Sequence, residues 1–105
     1  MTYRLKEQAV EDLRGIWSYS ETQWGPAQAE RYLRTLERQF AWIADQPTSG
    51  KLAPGISGYR QRAPGSHMII YRLDDRGVIV IRVLHQKNGP VPAPLRRTEQ
   101  IQIGS

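Results

Sequence analysis

The chain has 105 residues, of which 39% are hydrophobic and 24% charged, and it contains no cysteine. That length suits one domain, and three Trp, five Tyr and one Phe supply enough bulky side chains to close one core. Without cysteine there is no disulfide framework or thiolate zinc site, and His67 and His85 are too far apart for a helical ligand pair. We therefore expect no metal and no other cofactor. No signal peptide or membrane-spanning run is recognisable, which predicts a cytoplasmic protein without a membrane partner.

The formal net charge of +5 is unevenly distributed along the chain. Residues 1–50 carry six basic and seven acidic side chains, whereas residues 51–105 carry nine basic and three acidic ones. This asymmetry suggests an anionic partner, which could be nucleic acid, a nucleic-acid machine or an acidic protein segment. A net negative first half argues against DNA binding by the elements that it forms.

The first half predicts a short strand followed by two helices. Tyr3–Leu5 alternates apolar and polar residues, as a strand does. From Glu7, a stripe at spacings of three and four indicates an amphipathic helix of about four turns, with Ala9, Leu13, Ile16, Ser20 and Trp24 on one face. Gly25 and Pro26 end this helix and begin the next, because Gly tolerates positive φ and Pro suits a first helical turn. The second helix is predicted over about residues 27–45, ending before Pro47.

The second half predicts a loop followed by antiparallel strands. Residues 48–58 are rich in Gly, Pro and Ser, which favours a loop. Three strand candidates follow, at residues 59–62, 67–73 and 78–84, separated by turn signals. The last is an almost continuous β-branched run, typical of a central strand.

These elements predict a β-α-α-β-β-β order and an α+β, two-layer fold, in which a helical hairpin packs on a small antiparallel sheet. The domain is expected to occupy residues 1–86. Residues 87–105 form a Pro-rich C-terminal tail, in which Pro90, Pro92 and Pro94 exclude a helix or a central strand. We expect this tail either to be flexible or to dock at the sheet edge.

The candidate chemistry is basic. Phosphate-loop, dinucleotide-binding and zinc-protease motifs are absent from the sequence. Arg60 and Arg62 alternate onto one face of a predicted strand, and we expect Arg82 and His85 to lie nearby. Such a set could hold a phosphodiester and move protons for metal-free RNA cleavage, or it could line a solvated face that binds acidic protein. The three tryptophans are predicted to pack in the core or the helical hairpin: Trp17, Trp24 and Trp42.

An ordered series of motifs extends over residues 9–86. It comprises A-x-x-D-L-x-x-I-x-x-Y over residues 9–19, Trp24-Gly25-Pro26, Tyr32-x-x-x-Leu36, Pro47 with Gly50, Gly58-Tyr59-Arg60, Ser66-His67-x-Ile69-Ile70-Tyr71-Arg72 and Ile81-Arg82-Val83-Leu84-His85-Gln86. In this order the motifs resemble toxins of the RelE/ParE superfamily, and within it the ParE side.

The resemblance implies the toxin of a type II toxin-antitoxin module, neutralised by a small ParD-like antitoxin that folds on the toxin. It also implies DNA gyrase as the target, contact with DNA only through the antitoxin, and a hetero-oligomer with the antitoxin. Toxins resembling RelE instead cut mRNA on the ribosome. The expected antitoxin- or target-binding residues are Arg60, Arg62, Tyr71, Arg82, His85 and Lys87.

Two departures bear on the target. Many RelE-like nucleases carry a Tyr near the C-terminus, whereas the last Tyr here is Tyr71, inside a predicted strand. A protein-binding inhibitor is therefore favoured over an enzyme, and the alternative is a ribosome-dependent nuclease using Arg60, Arg62, Arg82 and His85. Residues 87–94 replace the short charged segment usual in ParE-like chains, which leaves open a protein that binds antitoxin but has lost gyrase activity.

Overall fold

The computed structural model describes residues 2–55, 57–63 and 65–85. Its elements are β1 (Tyr3–Leu5), α1 (Glu7–Trp24), α2 (Pro26–Asp45), β2 (Lys51–Leu52), β3 (Arg60–Arg62), β4 (His67–Asp74) and β5 (Gly77–His85). The helices pack on a five-stranded sheet of order β1-β5-β4-β3-β2, which confirms the predicted α+β, two-layer architecture with a helical hairpin. The predicted tail lies outside the described residues.

The sheet is mixed, not wholly antiparallel as predicted. Strands β2 to β5 pair antiparallel with their neighbours, but β1 joins β5 in parallel, with Tyr3 opposite Val78 and Leu5 opposite Val80. Alternation of side chains indicates a strand but not its direction, so the sequence could not reveal this pairing. The predicted loop also contains β2, a two-residue strand whose side chains are both exposed and which therefore carries no hydrophobic signal.

Both faces of the central strands are covered. On the helical side, the buried cluster joins sheet and helix residues: Ala9, Ile16, Leu36, Phe40, Ile43, Ile69, Tyr71, Val78, Val80 and Val83. A second cluster without helix residues contains Ala53, Tyr59, Met68, Ile70, Ile79 and Ile81. The β-branched run of β5 is explained by this two-sided burial. None of the helices in the described ranges is long and apolar enough to cross a membrane.

The turn between the helices explains one wrong prediction. Gly25 has φ 90°, in the left-handed region that favours glycine, and Pro26 is the first residue of α2. The buried stripe of α1 ends at Ser20, and the last turn of the helix contains no buried residue. Trp24 is consequently 63% exposed, not packed in the core or hairpin as predicted, whereas Trp42 packs against the core cluster.

The hydroxyl of Tyr71 attaches the loop after α2 to the sheet. Tyr71 is fully buried, donates to the carbonyl oxygen of Pro47 at 2.8 Å and accepts from the amide of Gly50 at 3.1 Å.

The substitution Tyr71→Phe removes both hydrogen bonds and leaves the carbonyl of Pro47 and the amide of Gly50 without this partner. We expect a loss of about 1–3 kcal/mol in the free energy of unfolding, measured by urea denaturation. Tyr19→Phe, on an exposed ring, should change it by less than about 0.5 kcal/mol. Equal midpoints for the two variants would contradict this assignment.

An ion pair between Arg4 and Asp74 connects β1 to the end of β4. The Arg4 guanidinium, helped by the amide of Arg76, lowers the pKa of Asp74 to about 2 from its ordinary value near 4. A carboxyl with a lowered folded-state pKa stabilises the fold above its unfolded pKa, and that contribution is lost as the pH falls from about 4 to about 2.

The free energy of unfolding, measured as the pH is lowered from about 4 to about 2, should decrease less steeply for Asp74→Asn than for the unchanged chain. Asp75→Asn, in the same turn, should leave the slope unchanged.

Candidate functional site

A groove of about 610 Å³ opens where α1, the start of α2 and the ends of β4 and β5 meet. Helix α1 supplies one wall, including Ile16, Tyr19 and Trp24. The other wall comes from Tyr32 of α2 and from the final residues of β5, up to His85. The groove therefore lies against the edge of β5 at its C-terminal end.

Two exposed aromatic side chains form the outer part of the groove. Trp24 and Tyr19 are 63% and 62% exposed, and their rings meet edge to face with centroids 6.0 Å apart. Single exposed apolar residues are ordinary, but an adjacent aromatic pair beside a concave surface is typical of a binding site. Tyr and Trp are also the residues most enriched at the energetic centres of protein interfaces.

The inner end of the groove contains a Tyr–His–His cluster. The Tyr32 hydroxyl and Nδ1 of His67 are 2.5 Å apart, and the His67 and His85 rings lie nearly perpendicular at 5.1 Å. His67 and His85 occupy opposite positions on β4 and β5. Burial, reinforced by His85 and opposed by Asp12, lowers the pKa of His67, so its imidazole is neutral at pH 7. Burial likewise raises the pKa of Tyr32. Tyr32 and His67 can exchange a hydrogen bond, and the neutral His67 ring adds no cation to the groove at pH 7.

Asp12 completes the edge of β5, a role that the sequence analysis did not assign. Arg82 donates to both carboxylate oxygens of Asp12, through Nε at 2.7 Å and a terminal nitrogen at 2.9 Å, and the amide of Val83 donates at 2.9 Å. Strand β1 pairs with β5 only as far as Val80, so the carboxylate satisfies an amide beyond the reach of β1. The available signal was the position of Asp12 in the first-helix motif.

Arg60 and Arg62 lie elsewhere, beside the end of α2. Arg60 donates to the carbonyl oxygen of Gly50 at 2.8 Å. Arg62 donates through Nε to the side chain of Gln39 at 3.2 Å, and its guanidinium carbon lies 4.0 Å from the centroid of the Trp42 ring. These contacts combine hydrogen bonding with a cation–π interaction, which orders both side chains.

The four side chains predicted to lie near one another therefore divide into two groups. Strand β4 separates β3, which carries Arg60 and Arg62, from β5, which carries Arg82 and His85. Two strand spacings amount to about 10 Å, and the two groups face different helices. Arg60 with Arg62 and Arg82 with His85 therefore form two groups with β4 between them, and a binding role for either group stays a prediction.

The remaining predicted binding residues have different positions. Tyr71 is fully buried and holds the loop after α2, so it offers no surface to a partner in this conformation. His85 is half-buried and lines the groove. Lys87 lies outside the described residues.

Comparison with known proteins identifies the family of the chain. Residues 3–90 match the model of the family described as ParE toxin of type II toxin-antitoxin system, parDE. The chain is 46% identical over 85 residues to Toxin ParE1 of Caulobacter vibrioides, covering 80% of this chain and 88% of the relative. It is 40% identical over 87 residues to Toxin ParE1 of Mycobacterium tuberculosis, covering 81% of this chain and 89% of that relative.

A solved structure agrees with the fold. The one titled "Chromosomal ParDE TA system from P. aeruginosa" superposes with a TM-score of 0.71, covering 81% of this chain and 95% of the other, at 15% identity. The family match extends over most of the chain and includes every element that positions the groove. The chain belongs to the ParE toxin family of type II toxin-antitoxin systems.

Proposed function

We propose that this chain is a non-enzymatic toxin that inhibits DNA gyrase and is neutralised by a ParD-like antitoxin. The observation that carries the proposal is the groove, which presents an exposed aromatic pair and no cluster of basic side chains. A concave apolar surface with a few polar groups suits a protein segment better than a phosphodiester.

The arrangement of the arginines supports inhibition over RNA cleavage. Holding a phosphodiester in a metal-free nuclease site needs several cationic groups directed at one point. Here Arg82 is engaged by the Asp12 carboxylate, whereas Arg60 and Arg62 are engaged two strands away. His67, which is neutral at pH 7, adds no positive charge to the groove. A RelE-type nuclease is therefore the less favoured alternative.

An antitoxin segment suits the groove for two reasons. Its apolar side chains would cover Trp24 and Tyr19, which are solvated in the free chain. Its acidic side chains would be attracted by a chain of net charge +5, which raises the rate of encounter. Both features fit an antitoxin that becomes ordered as it binds the toxin.

The target is tested by a DNA gyrase supercoiling assay with the purified chain. Inhibition is expected, and adding the antitoxin encoded beside the toxin should restore supercoiling because the complex removes free toxin. An antitoxin from an unrelated module is the control and should restore nothing. Antitoxin binding without any gyrase inhibition would contradict the target but not the partner, and ribosome-dependent mRNA cleavage would then be measured.

The antitoxin site is tested by Trp24→Ala. Removing an exposed ring leaves the core intact but deletes the largest apolar surface at the groove, so antitoxin affinity should fall by about 2 kcal/mol or more, roughly 30-fold in Kd. Calorimetric titration measures this change. The matched control is Leu52→Ala, which removes a side chain that is 68% exposed on β2, away from the groove. Equal affinities for the two variants would exclude the groove as the antitoxin site.

A further inference from the structure

The groove adjoins the point where the described chain ends. His85 is both the last described residue and part of the groove wall, so residues 86–105 begin at the groove itself. The match to the ParE family model ends at residue 90, so residues 91–105 lie beyond it. The composition of the segment is also unlike that of the domain, with three prolines at alternate positions, Pro90, Pro92 and Pro94.

The chemistry of the segment complements the groove. Proline-rich sequences favour the extended polyproline II conformation, lose little entropy on binding and pack their rings in aromatic-lined grooves. Here the aromatic lining consists of Tyr19, Trp24 and Tyr32, of which the first two are more than half exposed. The prolines and the exposed rings therefore form a matched pair of surfaces within one molecule.

Charge and reach agree with this pairing. The segment carries Lys87, Arg96 and Arg97 against a single acidic residue. The described lining of the groove contains no Lys or Arg that would repel them, and its two carboxylates are already paired, Glu11 with Arg14 and Asp12 with Arg82. At about 3.1 Å per residue, Pro90 lies within about 15 Å of His85 along the chain, and Pro94 within about 28 Å. Because His85 itself lines the groove, the segment needs no long linker to reach the other lining residues.

We propose that residues 86–105 dock into the groove of the same molecule, with the proline segment of residues 90–94 against Trp24 and Tyr19. A partner segment that uses the groove must first displace this tail. The tail then acts as an intramolecular competitor, which lowers the apparent affinity of the partner by the fraction of molecules whose groove is free.

The absence of cysteine from the chain makes a site-specific label straightforward. Ala93→Cys in the full-length chain carries a nitroxide, and the indole N–H signals of the three tryptophans report its proximity by paramagnetic broadening in NMR spectra. Trp24 lies at the groove, whereas Trp42 lies near the other end of α2 beside Arg62. The proposal predicts that the Trp24 signal loses most of its intensity, while the Trp42 signal keeps most of it.

Two further samples complete the test. The label at Ala93→Cys combined with Pro90→Ser, Pro92→Ser and Pro94→Ser should restore the Trp24 signal, because the proline rings carry the contact. A label at Ala41→Cys, on an exposed position adjacent to Trp42, should broaden Trp42 and so validate it as a reporter. Broadening of Trp24 that survives the serine substitutions would overturn the role of the prolines.

The remaining outcomes also decide the question. Equal broadening of Trp24 and Trp42, or none at Trp24, would overturn docking in the groove. In a mixture of isotope-enriched unlabelled chain with spin-labelled unenriched chain, we expect no broadening. Broadening in that mixture would assign the groove to the tail of a second copy and overturn the intramolecular contact. None of these measurements uses antitoxin or gyrase, so they are independent of the proposed target.

Discussion

The length of β1 is the constraint on which the rest of the site depends. Strand β5 has nine residues and β1 has three, so β1 covers only the first part of the β5 edge. The chain leaves the sheet after Leu5, the amide of Lys6 donates to Val80, and α1 begins at Glu7. The remaining edge of β5 faces a helix instead of a strand. The groove is lined by residues 83–85 of β5, beyond the part of the strand that β1 covers.

An uncovered strand edge exposes main-chain amides and invites pairing with another chain. Asp12 limits this exposure by accepting the amide of Val83, and the same carboxylate holds Arg82 in a bidentate pair. A charge-assisted bond of this kind is stronger than a neutral one, and its two partners are only 11% and 21% exposed. One carboxylate therefore protects the edge, orients a basic side chain away from the solvent and connects α1 to β5. The groove next to this carboxylate stays open to solvent and is lined by residues of α1, α2, β4 and β5.

The sequence was sufficient for both helices and for four of the five described strands, and insufficient for β2 and for the arrangement of the sheet. Helices α1 and α2 followed from the spacing of residues such as Leu36 and Phe40, and the turn followed from Gly25 and Pro26. The parallel direction of β1 and its place in the sheet depend on long-range pairing, which leaves no local pattern in the sequence. The turn signals did predict β4 between the strands of Arg60 and Arg82, whereas the place of β1 beside β5 was not predicted.

The exposure of Trp24 in the candidate site also could not be predicted from the sequence. The family motifs include Asp12, Trp24, Tyr32 and His67, yet periodicity alone favours a packed position for Trp24 because it continues the apolar spacing of α1. Its exposure results from helix length, since α1 extends one turn past its last buried residue, Ser20. Trp24 continues the apolar spacing of α1 but is exposed, and this difference marks it as a candidate binding residue. The exposure can be recognised only once the positions of the neighbouring elements are known.

The structure changes the interpretation of the excess positive charge, because it shows which arginines are bonded within the chain. A net charge of +5 alone would suit a nucleic-acid surface, but several arginines are occupied by partners within the chain: Arg4 by Asp74, Arg34 by Glu30, Arg60 by Gly50, Arg62 by Gln39 and Arg82 by Asp12. Arg60 and Arg62, which are bonded to neutral groups, still contribute their charge to the long-range field, although they are less available for a new strong contact. The basic character therefore favours the approach of an acidic protein, while the aromatic groove provides the contact surface. The basic side chains thus mainly affect the rate of association with a partner, and the aromatic side chains of the groove mainly affect the rate of dissociation.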